Sequence, residues 1–234
     1  MEEAVNSSSD NNRIIVALDY NDKKQALALS KKLDPSYCRL KIGKQLFTKY
    51  GPAMVEELQK MNFEIFLDLK FHDIPITVYK ACSEAYKLGI WMLNIHLLGG
   101  KEMVLAARKA RDEVNKKSKI IGVTLLTSHN ADSMTYLGMN TREEIVKSLS
   151  IIASETKIDG VVCSPGDISS INASKNNLEF ITPGIRLGDD LNDHSEIYTP
   201  STALELGSSY LVIGRPITEA KDPMSIVEKI KSMV

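Results

Sequence analysis

The chain has 234 residues, 43% of them hydrophobic and 25% charged, with a formal net charge of -1 at pH 7. These values suit a globular protein of one large or two small domains and offer no basic excess for binding nucleic acid. No apolar run approaches the ~20 residues of a membrane span, and the cysteines, Cys38, Cys82 and Cys163, are odd in number and lack a metal-type spacing.

Residues 1–12, MEEAVNSSSDNN, are polar and start acidic. They lack the basic start and apolar centre of a secretory signal, so they read as a loose leader on a cytoplasmic protein, with residues 13–234 as one domain. The first apolar run, RIIVALDY (13–20), reads as a strand that ends in Asp19. DKKQALALSKKL follows with helical period, its Ala26, Leu29 and Leu33 on one stripe. CRLKIG (38–43) is the second strand, with Lys41 near its end, and GPAMVEELQKM returns to the helical period.

The third strand, EIFLDLK (64–70), is unusual because it carries charge. Alternate residues of a strand face opposite sides, so Phe66, Asp68 and Lys70 share one face and Ile65, Leu67 and Leu69 the other. Asp73 follows just beyond. WMLNIHL (91–97) ends with Asn94 and His96, and Gly99-Gly100 then allow a tight entry into the helix of KEMVLAARKARDEV. His96 reads as a hydrogen-bonded wall residue. KIIGVTLL (119–126) leads into Thr127 and Ser128, and TREEIVKSLSIIASET is again helical. GVVCS (160–164), EFITPGI (179–185) and YLVIGRP (210–216) complete the strands. The long polar connection RLGDDLNDHSEIY (186–198) is the candidate lid, and DPMSIVEKIKSMV closes as a helix with Asp222 as N-cap and Pro223 in first position.

Eight strands alternating with about eight helices is the count of a single-domain α/β (β/α)8 TIM barrel. An open doubly wound sheet would carry a glycine-rich first turn, whereas the first turn here is LDYNDKK. In a barrel the strand C-termini carry the site, which gathers Asp19, Lys41, Asp68, Lys70 and Asp73 at one mouth. An ion pair plugging the barrel top is the bland alternative. Buried ion pairs are poor stabilisers, so several charges of alternating sign on neighbouring strands point instead to a site. TPGIR and IGRP, after strands seven and eight, supply Arg186, Gly214 and Arg215 where barrels bind phosphate. The four histidines form no H-x-x-x-H pair, so no metal site is expected.

VALDY, LKIGKQLF, FLDLKFHDIPITV, LLTS, TPGIR and VIGRP occur in this order across nearly the whole chain. Together they closely resemble the orotidine 5'-phosphate decarboxylase family. The resemblance implies a cofactor-free homodimer that converts orotidine 5'-phosphate to UMP and CO2 in pyrimidine nucleotide synthesis. It implies Lys70 as the catalytic lysine, Asp68 beside the substrate carboxylate, and Asp73 with Thr77 reaching the neighbouring subunit's site. Lys41 and Asp19 would contact ribose, Thr127 and Ser128 would lie near the pyrimidine, and Gly214 and Arg215, with Arg186 nearby, would hold phosphate. The family's loop after strand seven commonly carries a phosphate-contacting glutamine; counting back from Thr199-Pro200 puts His194 there. Two other readings remain. Magnesium-dependent sugar-phosphate decarboxylases and aldolases (3-keto-L-gulonate 6-phosphate decarboxylase, hexulose 6-phosphate synthase) share D-x-K-x-x-D, but they place a metal-binding glutamate near the end of strand two, where this chain has Lys41. A barrel that binds nucleotide or phosphate without catalysis is the alternative of another class.

Overall fold

Val, Ile and Leu dominate the short runs because each strand is covered on both faces, by the other strands' side chains inside and by helices outside. The computed structural model describes residues 12–126, 128, 141–172, 177–187 and 198–233. Its strands are β1 Ile14–Ala17, β2 Arg39–Gly43, β3 Ile65–Phe71, β4 Met92–His96, β5 Lys119–Val123, β6 Gly160–Val162, β7 Glu179–Pro183 and β8 Tyr210–Ile213. All pair in parallel in sequence order, and β8 returns to β1 to close the barrel. The single-domain (β/α)8 expectation therefore holds.

The described helices are α1 Lys23–Ser30, α2 Lys44–Tyr50, α3 Pro52–Gln59, α4 Pro75–Lys87, α5 Gly100–Val114, α6 Arg142–Glu155, α7 Ile168–Asn172, α8 Pro200–Glu205, α9 Arg215–Thr218 and α10 Pro223–Lys231. Among the described residues no helix is long and apolar enough to cross a membrane. Thr141 and Glu144 form a reciprocal capping box that starts α6, and Asp222 caps α10 with Pro223 at its first turn, as its sequence suggests. Two helices stand where one periodic segment is evident. Gly51, at φ +60°, ends α2, and Pro52 starts α3. Gly100 takes φ +81° at the start of α5, and a Cβ on Gly99 would run into the Met103 side chain, so the glycine pair suits the tight entry.

Strand parity sorts the core into two parts. Ile15, Ala17, Phe66, Met92, Ile121, Ile181, Tyr210 and Val212 fill the barrel interior. Their neighbours, among them Val16, Ile65 and Leu67, pack outward beneath the helices. At the N-terminal end of the strands, Arg39 is 4% exposed. Its guanidinium lies 4.0 Å from the Trp91 ring centre and its Nε donates to Glu64 at 2.7 Å. Arg39, whose direction the sequence leaves open, thus closes the end opposite the site. Asn12 also joins this end, through its amide to the Pro35 carbonyl and its carbonyl to Arg39.

Several strands stop earlier than their apolar runs. Leu125 and Leu126 read as the end of strand five, yet they lie past β5 and line the cavity at the mouth. Asp19 likewise sits two residues beyond β1.

Candidate active site

The strand C-termini surround a cavity of about 360 Å³. Phe66 forms its floor, and Val123, Leu125, Leu126, Val162 and Ile181 give it one apolar wall. Asp19, Lys41, Asp68, Lys70 and Asn94 line it too. Gly184, Arg186, Gly214 and Arg215 complete the rim after β7 and β8.

The charges form a chain of alternating sign. Lys41 Nζ lies 3.2 Å from Asp19 Oδ1 and 3.2 Å from Asp68 Oδ2. The other Asp68 oxygen pairs with Lys70 Nζ. Lys41 and Asp68 are nearly buried, while the Lys70 side chain is 26% exposed toward the cavity. Burial disfavours the Lys41 ammonium, but Asp68 and Asp19 outweigh it and raise its pKa above the ordinary lysine value. Burial likewise works against the Asp68 carboxylate, yet Lys41, Lys70 and the Asn94 hydrogen bond together pull its pKa below the ordinary value. Asp68 is therefore ionised at neutral pH, with a cation on each oxygen.

Lys70 does not reach the mouth by simple alternation. The pairing of β3 with β4 is regular at Phe66–Met92 and Leu67–Leu93, then resumes only at Phe71–Ile95. Four steps along β3 span two along β4, which is a bulge, and Lys70 sits within it at φ +51°. That left-handed conformation costs a lysine on the order of 1–3 kcal/mol and is the kind of local strain found where a side chain must be aimed. Asn94 braces it. Its Oδ1 accepts from the Lys70 backbone N–H at 2.8 Å, and its Nδ2 donates to Asp68 Oδ1 at 2.7 Å. The sequence puts Asn94 near a strand end and assigns it no role. The available signal was a carboxamide inside the otherwise apolar stretch WMLNI.

Of the residues expected at the site, Asp19, Lys41, Asp68, Lys70, Arg186, Gly214 and Arg215 do meet around one cavity. Gly184 takes φ +83° in the loop after β7, a conformation that suits glycine, and Gly214 caps the short helix α9. Asp73 and Thr77 do not line this cavity. Both are exposed where α4 begins, with Asp73 Oδ1 accepting from the Ile74 N–H. Ser128 is exposed and also off the cavity lining, whereas Thr127, His194 and the lid segment 188–197 lie outside the described residues. The base of that segment is pinned where Ile185 bridges Tyr198.

His96 departs from its expected hydrogen-bonded role. Its Nδ1 is buried and has no hydrogen-bond partner among the described residues. Its ring instead lies against His72, with centroids 5.4 Å apart. Burial, then the charges of His72, Lys44 and Lys70, push its pKa down to about 4, so it is neutral at physiological pH. The three cysteines are free and buried; burial pushes the Cys38 and Cys82 thiols up to about 12, which keeps them protonated and poor nucleophiles.

A family model described as "Orotidine 5'-phosphate decarboxylase / HUMPS family" matches residues 12–230. A protein from Nitrosomonas eutropha named orotidine 5'-phosphate decarboxylase is 48% identical over 226 residues, covering 95% of this chain and 96% of that protein. One of the same name from Saccharophagus degradans is 46% identical over 223 residues, covering 93% of each. The crystal structure of orotidine 5'-phosphate decarboxylase from Lactobacillus acidophilus matches with a TM-score of 0.84 at 35% identity, covering 95% of this chain and 98% of that one. With the barrel, the alternating charges at its mouth and near full-length similarity all agreeing, the chain belongs to the orotidine 5'-phosphate decarboxylase / HUMPS family.

Proposed function

We propose that the protein decarboxylates orotidine 5'-phosphate to UMP and CO2, with Lys70 as the proton donor to C6 and Asp68 beside the departing carboxylate. When the bond from C6 to the carboxylate breaks, its electron pair stays on C6 in the plane of the ring, where the pyrimidine π-system cannot spread it. A cation fixed in that plane must stabilise it. The Lys70 ammonium serves this purpose, then transfers one Nζ proton to C6 as CO2 leaves, and the resulting amine recovers a proton from water. The apolar wall keeps water from weakening the charge interaction. Asp68, ionised and held by Lys41, repels the substrate carboxylate, and that repulsion is relieved on loss of CO2.

The opposite rim suits the phosphate. Arg186 and Arg215 project beside Gly184 and Gly214, where a dianion meets two cations and can approach the glycine backbone. Phosphate held there anchors the reacting ring over Lys70, so binding energy far from C6 orients the bond that breaks. Asp19 and Lys41 line the same cavity and are the residues proposed to meet the ribose. Family resemblance alone would add Thr127, Ser128 and His194 as substrate contacts; Thr127 and His194 lie outside the described residues and Ser128 lies off the cavity lining.

Lys41 is the observation that carries this reading over a magnesium-dependent barrel of the same family. Its ammonium stands 3.2 Å from both Asp19 and Asp68, at the place where a divalent cation would have to join the two carboxylates. The test is to add orotidine 5'-phosphate in the presence of excess chelator and follow the ultraviolet absorbance. Conversion to UMP at an unchanged rate is expected. Activity that vanishes with the chelator and returns with magnesium supports the rival, and UMP binding without conversion supports a non-catalytic barrel.

A homodimer follows from the same reading. Asp73 and Thr77 are exposed and do not line their own cavity, and Ile74 and Ile76 beside them are 62% and 55% exposed. Leu98, 37% exposed, sits on the adjoining turn, where Gly99 meets the His72 ring. An exposed apolar patch around an acid with no task in its own site fits a surface that carries Asp73 into a second copy. Sedimentation should give twice the chain mass, and mixing Lys70→Ala with Asp73→Ala chains should restore activity; a monomer with full activity would contradict this.

A further inference from the structure

One side chain ties both central charges together, and neither the proton transfer nor substrate binding accounts for it. Asn94 is 1% exposed. The bulge in β3 takes the Lys70 N–H out of regular pairing with β4, and the Asn94 carbonyl oxygen accepts it at 2.8 Å. The amide nitrogen of the same side chain donates to Asp68 Oδ1 at 2.7 Å, the oxygen that also pairs with Lys70 Nζ. Main chain of one residue and carboxylate of the other are thus held through a single planar group. A carboxamide is suited to this because it presents a donor and an acceptor side by side; aspartate of the same shape loses the donor, and leucine loses both.

We infer that Asn94 is a positioning residue of the decarboxylation, locking Asp68 and the left-handed Lys70 backbone into one rigid unit that aims the ammonium at the reacting carbon. The inference rests on the roles proposed for Lys70 and Asp68. A group that only satisfied buried polar atoms would affect stability and leave the chemistry of folded molecules unchanged. A group that aims Lys70 affects turnover more than binding, because a misplacement of about 1 Å at the reacting centre costs roughly 100-fold.

The experiment compares wild type, Asn94→Ala, Asn94→Asp and Lys70→Ala as full chains, measuring kcat and KM for orotidine 5'-phosphate from acid to alkaline pH and UMP affinity by calorimetry. For Asn94→Ala the expected result is a fall in kcat of about 100-fold with KM and UMP affinity within about threefold of wild type. The acid limb of kcat/KM should also move to higher pH, because the Asp68 carboxylate has lost a donor. Asn94→Asp keeps the size and the acceptor but sets a second carboxylate against Asp68, so it should lose at least as much. A kcat within about threefold of wild type in Asn94→Ala, with an unmoved acid limb, overturns the inference. Should Asn94→Ala fail to fold, the isosteric Asn94→Asp decides it by the same two readings. If Lys70→Ala is dead while both Asn94 variants are fully active, only the role of Asn94 falls; turnover by Lys70→Ala would remove the reading beneath it as well.

Discussion

Lys70→Ala should lower turnover of orotidine 5'-phosphate by about 10⁴-fold or more while leaving a folded protein that still binds UMP. The size follows from two losses at once: a positioned proton donor contributes about 10²–10⁴-fold, and a fixed charge facing the developing carbanion about 10²–10³-fold. The fold should tolerate the change. Asp68 keeps Lys41 and Asn94 as partners, and the Lys70 side chain is already part exposed in the cavity. Lys70→Arg should be nearly as inactive, because guanidinium restores the charge but holds its protons too tightly to deliver one. Steady-state turnover with circular dichroism checks both variants, and a Lys70→Ala protein retaining a tenth of wild-type activity would remove Lys70 from the chemistry.

Asp68→Ala should damage both activity and stability. It strips Lys41 of its best-buried partner and leaves an ammonium whose side chain is 9% exposed with, among the described residues, the solvent-accessible Asp19 as its remaining ion-pair partner. Removing one member of a buried pair costs about 3–5 kcal/mol, read as a lower urea midpoint. Turnover should fall on the order of 10³-fold, since Lys70 loses the carboxylate that orients it. The pH dependence has a definite sign. The folded-state pKa of Asp68 is depressed, so its contribution to stability is present above the unfolded value of about 3.9 and is lost as pH falls through the lower folded value. Wild type should therefore lose stability steeply below about pH 4, and Asp68→Ala should show a flatter acid limb. Equal stability of the two proteins at neutral pH would contradict the pairing described here.

Much of the fold and part of the site is legible in the sequence. Strands covered on both faces produce short apolar runs at even spacing, so β1 to β8 can be located by eye, and a charge inside such a run is tolerated only near an end of the barrel, where it can find a partner. Asp68 and Lys41 therefore announce themselves. Strand ends are less legible. Leu125 and Leu126 look like strand because they are apolar, yet their apolarity serves the cavity wall. Parity places Asp68 correctly but gives Lys70 the right direction for an incomplete reason: the β3 bulge and its positive φ set that direction, and neither leaves a glycine or proline to mark it. Arg39 shares the parity of Lys41 and looks equally chemical. They stand two positions apart along the strand, enough to put Arg39 against Trp91 at the far end of the barrel. Asn94 is hidden for a different reason. A single amide in a strand is uninformative until its two partners, 24 and 26 residues away in sequence, are seen to converge on it.

That the Lys70 ammonium carries the proton to C6 is tested most directly in the reverse direction. UMP is incubated with the protein in deuterium oxide, and the hydrogen at C6 is followed by NMR. Microscopic reversibility requires the group that delivers the proton to be able to remove it, so wild type should introduce deuterium at C6 and Lys70→Ala should not exceed the rate in buffer alone. Deuterium entering C6 at equal rates with the two proteins would contradict the assignment.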